Sequence, residues 1–361
     1  MPLRPRQEIS RLGTYAHGGY DYAEIKSLGL NPGEIIDFSV STNPFMPPPG
    51  IKETLKNLQI DRYPDSDASE LKQELAEKLG ISGEMILPAN GTTELIRLAA
   101  LTYFRRNDRV LILEPTYGEY EPACILTGAR IIRYRAPEAA NFLPDMKEIA
   151  GLVRRLRPRA VFICNPNNPT GSYLSRREIE EVLEALGDGL LILDEAYVSF
   201  VEKRWNSAVL TGCDNVLLLR SMTKEYGIPG LRLGYAVACR EIIENLRLAL
   251  PPWNVNIAAQ AVGRAVLDED EYLQDSLKKV SEARQFLIEE IKNLGMKVLP
   301  SKTNYFLVKV GKATEFRRKL LTKGIQVRDC TSFGLPEYIR IAPRTMPECI
   351  KLIEALKGIM K

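Results

Sequence analysis

Two residues that can hold an aldehyde and a phosphate lie close together in the sequence. Lys224 ends the run SMTK, and Arg232 follows eight residues later within the run PGLRLGY. A lysine amine bonds covalently to an aldehyde, while the hydroxyls of Ser221 and Thr223 and a fixed guanidinium can hold a phosphate. Pyridoxal 5'-phosphate carries both groups, so the segment predicts a site for this cofactor. Taken alone, such a segment is more often a solvated loop, and the hypothesis therefore depends on the rest of the chain.

An acidic residue ends an apolar run in the middle of the chain. The run 190–193 leads to Asp194, and Tyr197 comes three residues later. A carboxylate at the end of a buried strand can keep a pyridine nitrogen protonated, which makes the ring an electron sink, and a phenol can hydrogen-bond the ring's phenolate oxygen. In isolation, an aspartate at this position more often caps the next helix. Together with Lys224, we assign Asp194 and Tyr197 as candidate catalytic residues.

A seven-residue run, NPNNPTG at 165–171, follows another apolar run. Its proline and glycine fix an unusual turn with an amide pointing into a cleft, and we predict that Asn168 donates to the phenolate oxygen. Tyr117 follows a further predicted strand, and we expect it to stack on the cofactor ring. A turn of this composition can be structural and loop tyrosines are common, so both assignments depend on the other residues.

The run NGTTE at 90–94 precedes an apolar helical pattern. Gly91, Thr92 and Thr93 therefore occupy the first turn of a predicted helix, where backbone amides are free and the hydroxyls add donors. We predict that this turn binds the cofactor phosphate. An ordinary helix N-cap is the alternative.

Three arginines near the carboxyl end of the chain are candidates for binding a substrate. Arg340 lies in the strand-like run YIRI, where alternation turns its side chain away from its apolar neighbours. A guanidinium there can clamp an amino-acid carboxylate by a two-point contact. Arg328 and Arg344 can supply charge for a second anionic group. Each arginine is equally compatible with a surface salt bridge.

The single histidine of the chain, His17, is followed by Gly18 and Gly19. Glycines permit close backbone approach to an anion, so a flexible arm can bring this imidazole near a ligand. A lone histidine is as often structural, and both interpretations stay open.

The bulk composition excludes several classes of function. The 49 basic and 46 acidic residues leave a net charge of +3, too small an excess to indicate a nucleic-acid or membrane partner. The six cysteines are scattered and one histidine is present, which disfavours a metal site. Because no apolar run approaches the roughly 20 residues that cross a bilayer and the N-terminus lacks a signal core, we expect a cytoplasmic protein.

The order of elements is typical of an α/β fold with a mainly parallel sheet, because helical patterns alternate with short apolar runs. The predicted strands are 110–113, 130–134, 160–164, 190–193, 216–219 and 235–238, and 175–186 is predicted as a helix. In such a sheet, loops at the carboxyl ends of the strands bind ligands. After residue 252, a long helix broken near 268–271 and strand-like runs at 304–310 and 338–341 indicate a smaller α+β domain.

With these residues in this order, the chain resembles fold type I pyridoxal-phosphate enzymes across nearly its whole length. Within them it resembles the branch containing histidinol-phosphate aminotransferases and threonine-phosphate decarboxylases. The resemblance implies the aspartate aminotransferase fold: an N-terminal arm (1–40) joining the small domain, a large cofactor-binding domain (41–250) and a small C-terminal domain (251–361). It also implies a homodimer with shared active sites, in which Tyr63 reaches the cofactor phosphate of the neighbouring subunit.

Three stretches make the chain most similar to the threonine-phosphate decarboxylases of cobalamin biosynthesis. They are HGG at 17–19, DFS at 37–39 leading to NP at 43–44, and PWNVN at 252–256. This similarity implies a phosphorylated amino acid as the substrate, with Arg340 on its carboxylate. The other residues implied to contact the substrate are His17, Gly18, Asn43, Asn168, Arg328 and Arg344.

The implied reaction is decarboxylation of L-threonine O-3-phosphate to (R)-1-amino-2-propanol O-2-phosphate, with Lys224 protonating the α carbon. An aminotransferase that uses histidinol phosphate and 2-oxoglutarate would employ the same residues, with Lys224 removing the α hydrogen. Residue chemistry does not separate these two, because the choice of bond depends on the pose of the substrate. A third hypothesis is a binding or regulatory protein that keeps the fold without turnover, and the intact Lys224 argues against it.

Overall fold

The computed structural model describes residues 3–13 and 18–360. These residues form thirteen β-strands and twelve α-helices, joined by loops and short 3-10 helices. The strands are β1 (Ile36–Asp37), β2 (Ile86–Ala89), β3 (Arg109–Glu114), β4 (Arg130–Arg135), β5 (Ala160–Cys164), β6 (Leu190–Asp194), β7 (Val216–Ser221), β8 (Gly234–Ala238), β9 (Lys297–Val298), β10 (Phe306–Lys309), β11 (Ile325–Gln326), β12 (Arg328–Asp329) and β13 (Tyr338–Ile341). The helices are α1 (Tyr22–Ser27), α2 (Ile51–Lys56), α3 (Ser69–Leu79), α4 (Thr92–Tyr103), α5 (Tyr120–Thr127), α6 (Met146–Leu156), α7 (Arg176–Leu186), α8 (Arg240–Leu248), α9 (Ile257–Leu267), α10 (Asp270–Asn293), α11 (Ala313–Leu321) and α12 (Met346–Met360).

A seven-stranded sheet with the order β2-β8-β7-β6-β5-β3-β4 lies at the centre of the molecule. β8 runs antiparallel to both of its neighbours, while the other adjacent strands are parallel. The predicted α/β fold with a mainly parallel sheet is therefore confirmed. β5 and β6 are buried at every position, as expected for apolar strands covered on both faces.

Apolar helix faces cover both sides of this central sheet. Ile149 of α6 and Ile179 of α7 belong to the core on one side, and Leu95 and Ile96 of α4 belong to the core on the other. The predicted helix 175–186 is confirmed as α7, which begins after its N-cap residue Ser175. The site-bearing loops are thus attached to a rigid, two-sided core.

Two strands differ from the sequence analysis. β2 was not predicted, because its four residues are too few for a clear pattern and include Pro88, a residue confined to edge strands. β4 was predicted as a strand buried on both faces, and this is wrong. It lies at the other edge of the sheet, where Arg130 and Arg135 are exposed.

The register of the parallel strands brings the predicted site loops together. Cys164 of β5 lies opposite Asp194 of β6, and Asp194 lies opposite Leu219 of β7. The turn 165–171, the segment after Asp194 and the loop after Ser221 therefore start side by side at the carboxyl edge of the sheet. This is the edge at which open α/β sheets bind ligands.

A second sheet, β12-β13-β10-β9, is antiparallel and packs with α10, α11 and α12 around its own core. The N-terminal segment reaches this part of the molecule, because β1 pairs in parallel with β11, with Ile36 opposite Ile325. The predicted break in the long helix is confirmed, since α9 ends at Leu267 and α10 begins at Asp270. None of the described helices combines the length and apolar composition needed to span a membrane.

Candidate active site

The loop after β7 is fixed by hydrogen bonds on both sides of Lys224. The hydroxyls of Ser221 and Thr223 lie 2.8 Å apart, and the Thr223 N–H donates to the Ser221 hydroxyl at 3.2 Å. The carbonyl of Lys224 accepts a hydrogen bond from the Asn43 N–H at 2.8 Å. The sequence SMTK thus places two hydroxyls and one amine on a short, ordered loop.

The amine of Lys224 is buried beside an aromatic ring. Its Nζ lies 5.9 Å from the centroid of the Tyr197 ring. Burial, followed by the charges of Arg232 and Arg340, lowers the pKa of Lys224 to about 8. Because an unprotonated amine is the nucleophile, this environment suits attack on an aldehyde near neutral pH.

We expect the bonding of added pyridoxal phosphate to the cofactor-free protein to titrate with Lys224. The lowered pKa of about 8 means that the rate should rise with pH up to about 8 and then level off. The measurement is the rate of appearance of visible absorbance between about pH 6 and pH 10. A rate that kept rising through pH 10, as an ordinary lysine would give, contradicts the expectation.

The N-terminus of α4 and the guanidinium of Arg232 meet at Gly91. Gly91 is the N-cap residue of α4 and has a φ of +77°. A Cβ placed there would lie 2.7 Å from Nη2 of Arg232. The glycine is therefore required both by its left-handed backbone and by the close approach of the guanidinium. Helix amides and a guanidinium at one point form an anion site.

We expect the substitution Gly91→Ala to weaken cofactor binding by at least about tenfold, because it strains the backbone and displaces Arg232. The measurement is titration of the cofactor-free protein with pyridoxal phosphate, followed by absorbance. Gly230→Ala is the matched control, since a Cβ at Gly230 meets no atom within 4 Å. Equal affinities for the two variants would show that the close approach at Gly91 has no role in binding.

The carboxylate of Asp194 is enclosed by protein. Its Oδ2 accepts a hydrogen bond from the Tyr120 hydroxyl at 2.8 Å, and its Oδ1 accepts one from the Ala196 N–H at 3.0 Å. Burial raises the pKa of Asp194 to about 6. A cationic ring nitrogen beside this carboxylate would keep it ionised. Tyr120 was missed by the sequence analysis, because its contact joins residues 74 positions apart.

The turn 165–171 is held in place by side-chain contacts. Asn165 donates to the Leu174 carbonyl at 3.1 Å and accepts from the Leu174 N–H at 2.7 Å. Gly171 has a φ of +72°, and a Cβ there would overlap Ser301. These contacts explain why the NPNNPTG sequence forms one fixed turn that positions Asn168.

Asn168 and Arg340 are joined directly, although Asn168 lies in the turn after β5 of the central sheet and Arg340 lies in β13 of the second sheet. Nη1 of Arg340 donates to Oδ1 of Asn168, and Nη2 donates to the Ser39 carbonyl at 2.7 Å. The Arg340 guanidinium also lies 5.0 Å over the ring of Tyr305. With its oxygen bonded to Arg340, Asn168 keeps its NH2 group as a donor.

Two adjoining cavities contain most of the residues predicted from the sequence. The smaller, of about 80 Å³, is lined among others by the predicted cofactor residues Gly91, Thr92, Thr93, Tyr117, Asn168, Asp194, Tyr197, Ser221, Thr223, Lys224 and Arg232. The larger, of about 450 Å³, shares six of these residues and extends to Gly18, Arg328 and Arg340. Residues from distant parts of the chain thus converge on one cleft around Lys224.

The larger cavity is also lined by residues that were not predicted from the sequence. Ser39, Arg97 and Ser332 contribute polar groups to it. Nη2 of Arg328 donates to the Ser332 hydroxyl at 2.6 Å, and the Arg328 guanidinium lies 5.1 Å over the ring of Phe333. A serine and a phenylalanine four and five residues after an arginine gave no recognisable signal in the sequence.

Two residues predicted to contact the substrate, Asn43 and Arg344, do not line either cavity. The side chain of Asn43 donates to the Glu225 carbonyl at 3.0 Å and to the Ser276 hydroxyl at 2.7 Å. Asn43 therefore supports the Lys224 loop, and its contact with a substrate stays a prediction. Arg344 lies outside both cavities, 3.4 Å from Glu348 in the first turn of α12.

Of the other predicted site residues, Tyr63 lies outside both cavities. Tyr63 is 79% exposed and its ring stacks on Trp253 with the centroids 4.5 Å apart. An exposed, ordered aromatic pair of this kind is available to a second subunit. His17 lies outside the described residues, while its neighbour Gly18 lines the larger cavity.

Comparison with known proteins gives the family. Residues 33–356 match the model of the aminotransferase class I and II family. The chain belongs to this family. It is 34% identical to a histidinol-phosphate aminotransferase of Moorella thermoacetica, over 98% of this chain and 92% of that protein.

Two solved structures of related proteins support the assignment of the fold. The L-threonine-O-3-phosphate decarboxylase of Porphyromonas gingivalis superposes with a TM-score of 0.79 and 29% identity, covering 90% of this chain and 98% of that one. The histidinol-phosphate aminotransferase of Sinorhizobium meliloti, solved in complex with pyridoxal-5'-phosphate, gives a TM-score of 0.88 at 22% identity and covers 99% of each chain. The predicted fold, family resemblance and cofactor are confirmed.

This aminotransferase family member is a pyridoxal-phosphate-dependent enzyme, and its smaller cavity fits the cofactor. The close approach of Arg232 to Gly91 forms an anion site, Lys224 provides a buried amine, and Asp194 provides a buried carboxylate. When bound, the cofactor supplies an electron sink for charge at the α carbon of an amine substrate. The hypothesis of a binding protein without turnover consequently loses its support.

Proposed function

We propose that the substrate is a small amine with a phosphate group, bound between Lys224 and two buried arginines. The observation that carries this proposal is the placement of Arg328 and Arg340, which both line the larger cavity and are only 7% and 4% exposed. Burial, followed by the charge of Arg340, lowers the pKa of Arg328 to about 10. Two cations in one buried wall favour ligands with anionic groups, such as carboxylate and phosphate.

The two arginines differ in what they are able to bind. Arg340 is oriented by Asn168 and Ser39, and it lines the same cavity as Lys224. This position suits the binding of a carboxylate attached to the reacting carbon. Arg328 provides a second guanidinium, and Ser332, which it contacts, provides a hydroxyl. This combination suits phosphate. Gly18 completes this wall without a side chain, so its backbone can approach the ligand closely.

The residues that line the smaller cavity could hold the cofactor in the way that the sequence predicts. The amine of Lys224 would bond to the aldehyde, Asp194 would bind the ring nitrogen, and Tyr117 would pack on the ring. Asn168 and Tyr197 would donate to the ring's phenolate oxygen. The phosphate would be held by residues that also line this cavity: Gly91, Thr92, Thr93, Ser221, Thr223 and Arg232.

A homodimer would complete this phosphate site. Tyr63 is exposed and fixed by Trp253, so its hydroxyl is free of the cleft of its own subunit. In a two-fold symmetric dimer each Tyr63 would donate to the cofactor phosphate of the partner, and the contact would be reciprocal.

For the reaction, the first candidate is amino transfer from histidinol phosphate to 2-oxoglutarate. Support comes from relatives that are 30–35% identical over most of the chain and carry the name histidinol-phosphate aminotransferase. In this reaction Lys224 takes a proton from the α carbon of the amine and later returns one to the α carbon of the acceptor. When 2-oxoglutarate is bound, Arg328 and Arg340 would bind its two carboxylates. When histidinol phosphate is bound, the same arginines would bind its phosphate.

The second candidate is decarboxylation of L-threonine phosphate, the reaction expected first from the sequence. The pair of buried arginines favours it, since this substrate carries its carboxylate and phosphate on one molecule. The 29% identical decarboxylase of Porphyromonas gingivalis adds support. Arg340 would align the carboxylate bond with the electron sink, and Lys224 would protonate the α carbon.

Product analysis separates the two reactions. The holoenzyme should convert 2-oxoglutarate to glutamate when histidinol phosphate is added, and should release no carbon dioxide from L-threonine phosphate. Aminopropanol phosphate and carbon dioxide formed from L-threonine phosphate alone would replace the first candidate by the second. Turnover of unphosphorylated amines at the same rate as both phosphate esters would overturn the proposed substrate class.

A further inference from the structure

A third cavity lies on the opposite side of the Lys224 loop. It has a volume of about 360 Å³, in the range of small-molecule sites. Thr223 and Lys224 line the cofactor cavity, whereas Met222, Glu225 and Tyr226 line this one, and Ser221 lines both. We name it the rear cavity. Its apolar wall consists mainly of leucines on α3, α9 and α10: Leu75, Leu79, Leu267, Leu273 and Leu277.

Glu225 lines the rear cavity, and one oxygen of its carboxylate has no hydrogen-bond partner among the described residues. The residue is 8% exposed, and the oxygen in question is Oε2. Burial raises the pKa of Glu225 to about 7. A buried acceptor without a partner is costly, so a cation or donor in the cavity would be bound favourably.

Arg204 lines the same cavity and provides the opposite charge. Its Nη1 donates to the Ser199 carbonyl at 3.2 Å, and within the described parts of the chain it forms no ion pair. It is not paired with Glu225, although its charge is close enough to lower the pKa of that carboxyl. A cation and an anion therefore face one cavity without contacting each other.

The remaining charges on the rear cavity are already neutralised. Lys78 contacts Asp270 at 2.5 Å, and Arg220 contacts Glu195 at 3.1 Å. A ligand in this cavity could thus contact the leucine wall and two opposite charges that do not contact each other, Glu225 and Arg204.

We propose that the rear cavity binds an aliphatic α-amino acid as a zwitterion. Its ammonium group would contact Glu225, its carboxylate would contact Arg204, and its branched side chain would pack on the leucine wall. This site is separate from the proposed substrate cleft, and the proposal does not depend on which reaction occurs there. Because Glu225 directly follows Lys224, a ligand bound to Glu225 would contact the loop that carries the cofactor-binding lysine.

A local fluorescence signal allows a direct test. Of the two tryptophans in the chain, Trp205 lines the rear cavity, so the holoenzyme with Trp253→Phe reports on it alone. The probe is N,N-dimethyl-L-leucine, a tertiary amine that keeps one N–H and its positive charge but forms no imine with pyridoxal phosphate. We expect a saturable change in Trp205 fluorescence with a Kd of about 1 mM or below.

Two variants and two matched controls decide the assignment. Glu225→Gln and Arg204→Met should each weaken binding of the probe by at least about tenfold, because each removes one charged contact. Glu202→Gln and Lys203→Met, at exposed positions outside the cavity, should stay within about twofold of the parent protein. Arg204 is exposed, so its variant should fold even if Glu225→Gln does not.

Three results would overturn the proposal. The first is the absence of any saturable change in Trp205 fluorescence, which would mean that the cavity holds only water or the Arg204 side chain. The second is binding that Arg204→Met leaves unchanged. The third is equal affinity for 4-methylpentanoate, which has the same aliphatic chain and carboxylate but lacks the ammonium group.

Discussion

Replacing Lys224 by alanine should lower turnover by at least roughly a thousandfold, the loss expected when the group that moves the proton is removed. Among the described residues, no lysine other than Lys224 lines the cofactor cavity or the adjoining cleft, so no second amine can take its place. The measurement is steady-state turnover of the better of the two candidate substrates at saturating pyridoxal phosphate. The visible absorbance of the covalently bound cofactor should disappear as well.

Two controls separate a chemical effect from a structural one. Lys203→Ala removes a lysine from an exposed position and should leave turnover and absorbance within about twofold of the parent. Added methylamine should restore part of the activity of the Lys224→Ala variant, since a free amine can enter the emptied position. Turnover that survived in Lys224→Ala without added amine would refute the assigned role.

Asp194→Asn is expected to lower kcat by about a hundredfold to a thousandfold, because the charge that stabilises a protonated ring nitrogen is lost. Asparagine has the same shape, so the variant should still bind pyridoxal phosphate. Burial raises the pKa of Asp194 to about 6, and a cationic partner is what favours the ionised form. A neutral amide at this position gives no such stabilisation.

Tyr120→Phe is the comparison for Asp194→Asn. It removes the 2.8 Å hydrogen bond to Oδ2 but keeps the carboxylate and its second hydrogen bond from Ala196. The loss in kcat should therefore be about tenfold, the effect of removing a single hydrogen bond while the charge is kept. Equal losses for both variants would show that the hydrogen-bond network, and not the charge of Asp194, supports the reaction.

The cofactor cavity was predictable because its parts are encoded locally. Asp194 ends β6, and Asn168 and Lys224 lie in the loops that follow β5 and β7. Parallel strands bring their carboxyl ends to one edge of the sheet. Gly91 was predictable from the start of α4. Once the strands are recognised, the convergence of these loops follows from the fold, and no contact between distant side chains has to be guessed.

The contacts that the sequence did not predict depend on tertiary packing. The backbone N–H of Asn43 bonds to the Lys224 carbonyl, while its side-chain amide bonds to the Glu225 carbonyl and the Ser276 hydroxyl. Tyr120 reaches Asp194 from α5, and nothing in the local sequence distinguishes it from a core tyrosine. The rear cavity likewise joins residues from three helices, from β7 and β8, and from the loops after β6 and β7, spread between Leu75 and Leu277.

The central claim is that Lys224 holds pyridoxal phosphate covalently. Reduction of the holoenzyme with sodium borohydride would make this bond permanent, and peptide mapping by mass spectrometry would locate it. The account predicts the phosphopyridoxyl group on Lys224, with loss of the label in Lys224→Ala. A label on any other lysine, or a reduced protein that carries none, would contradict the account.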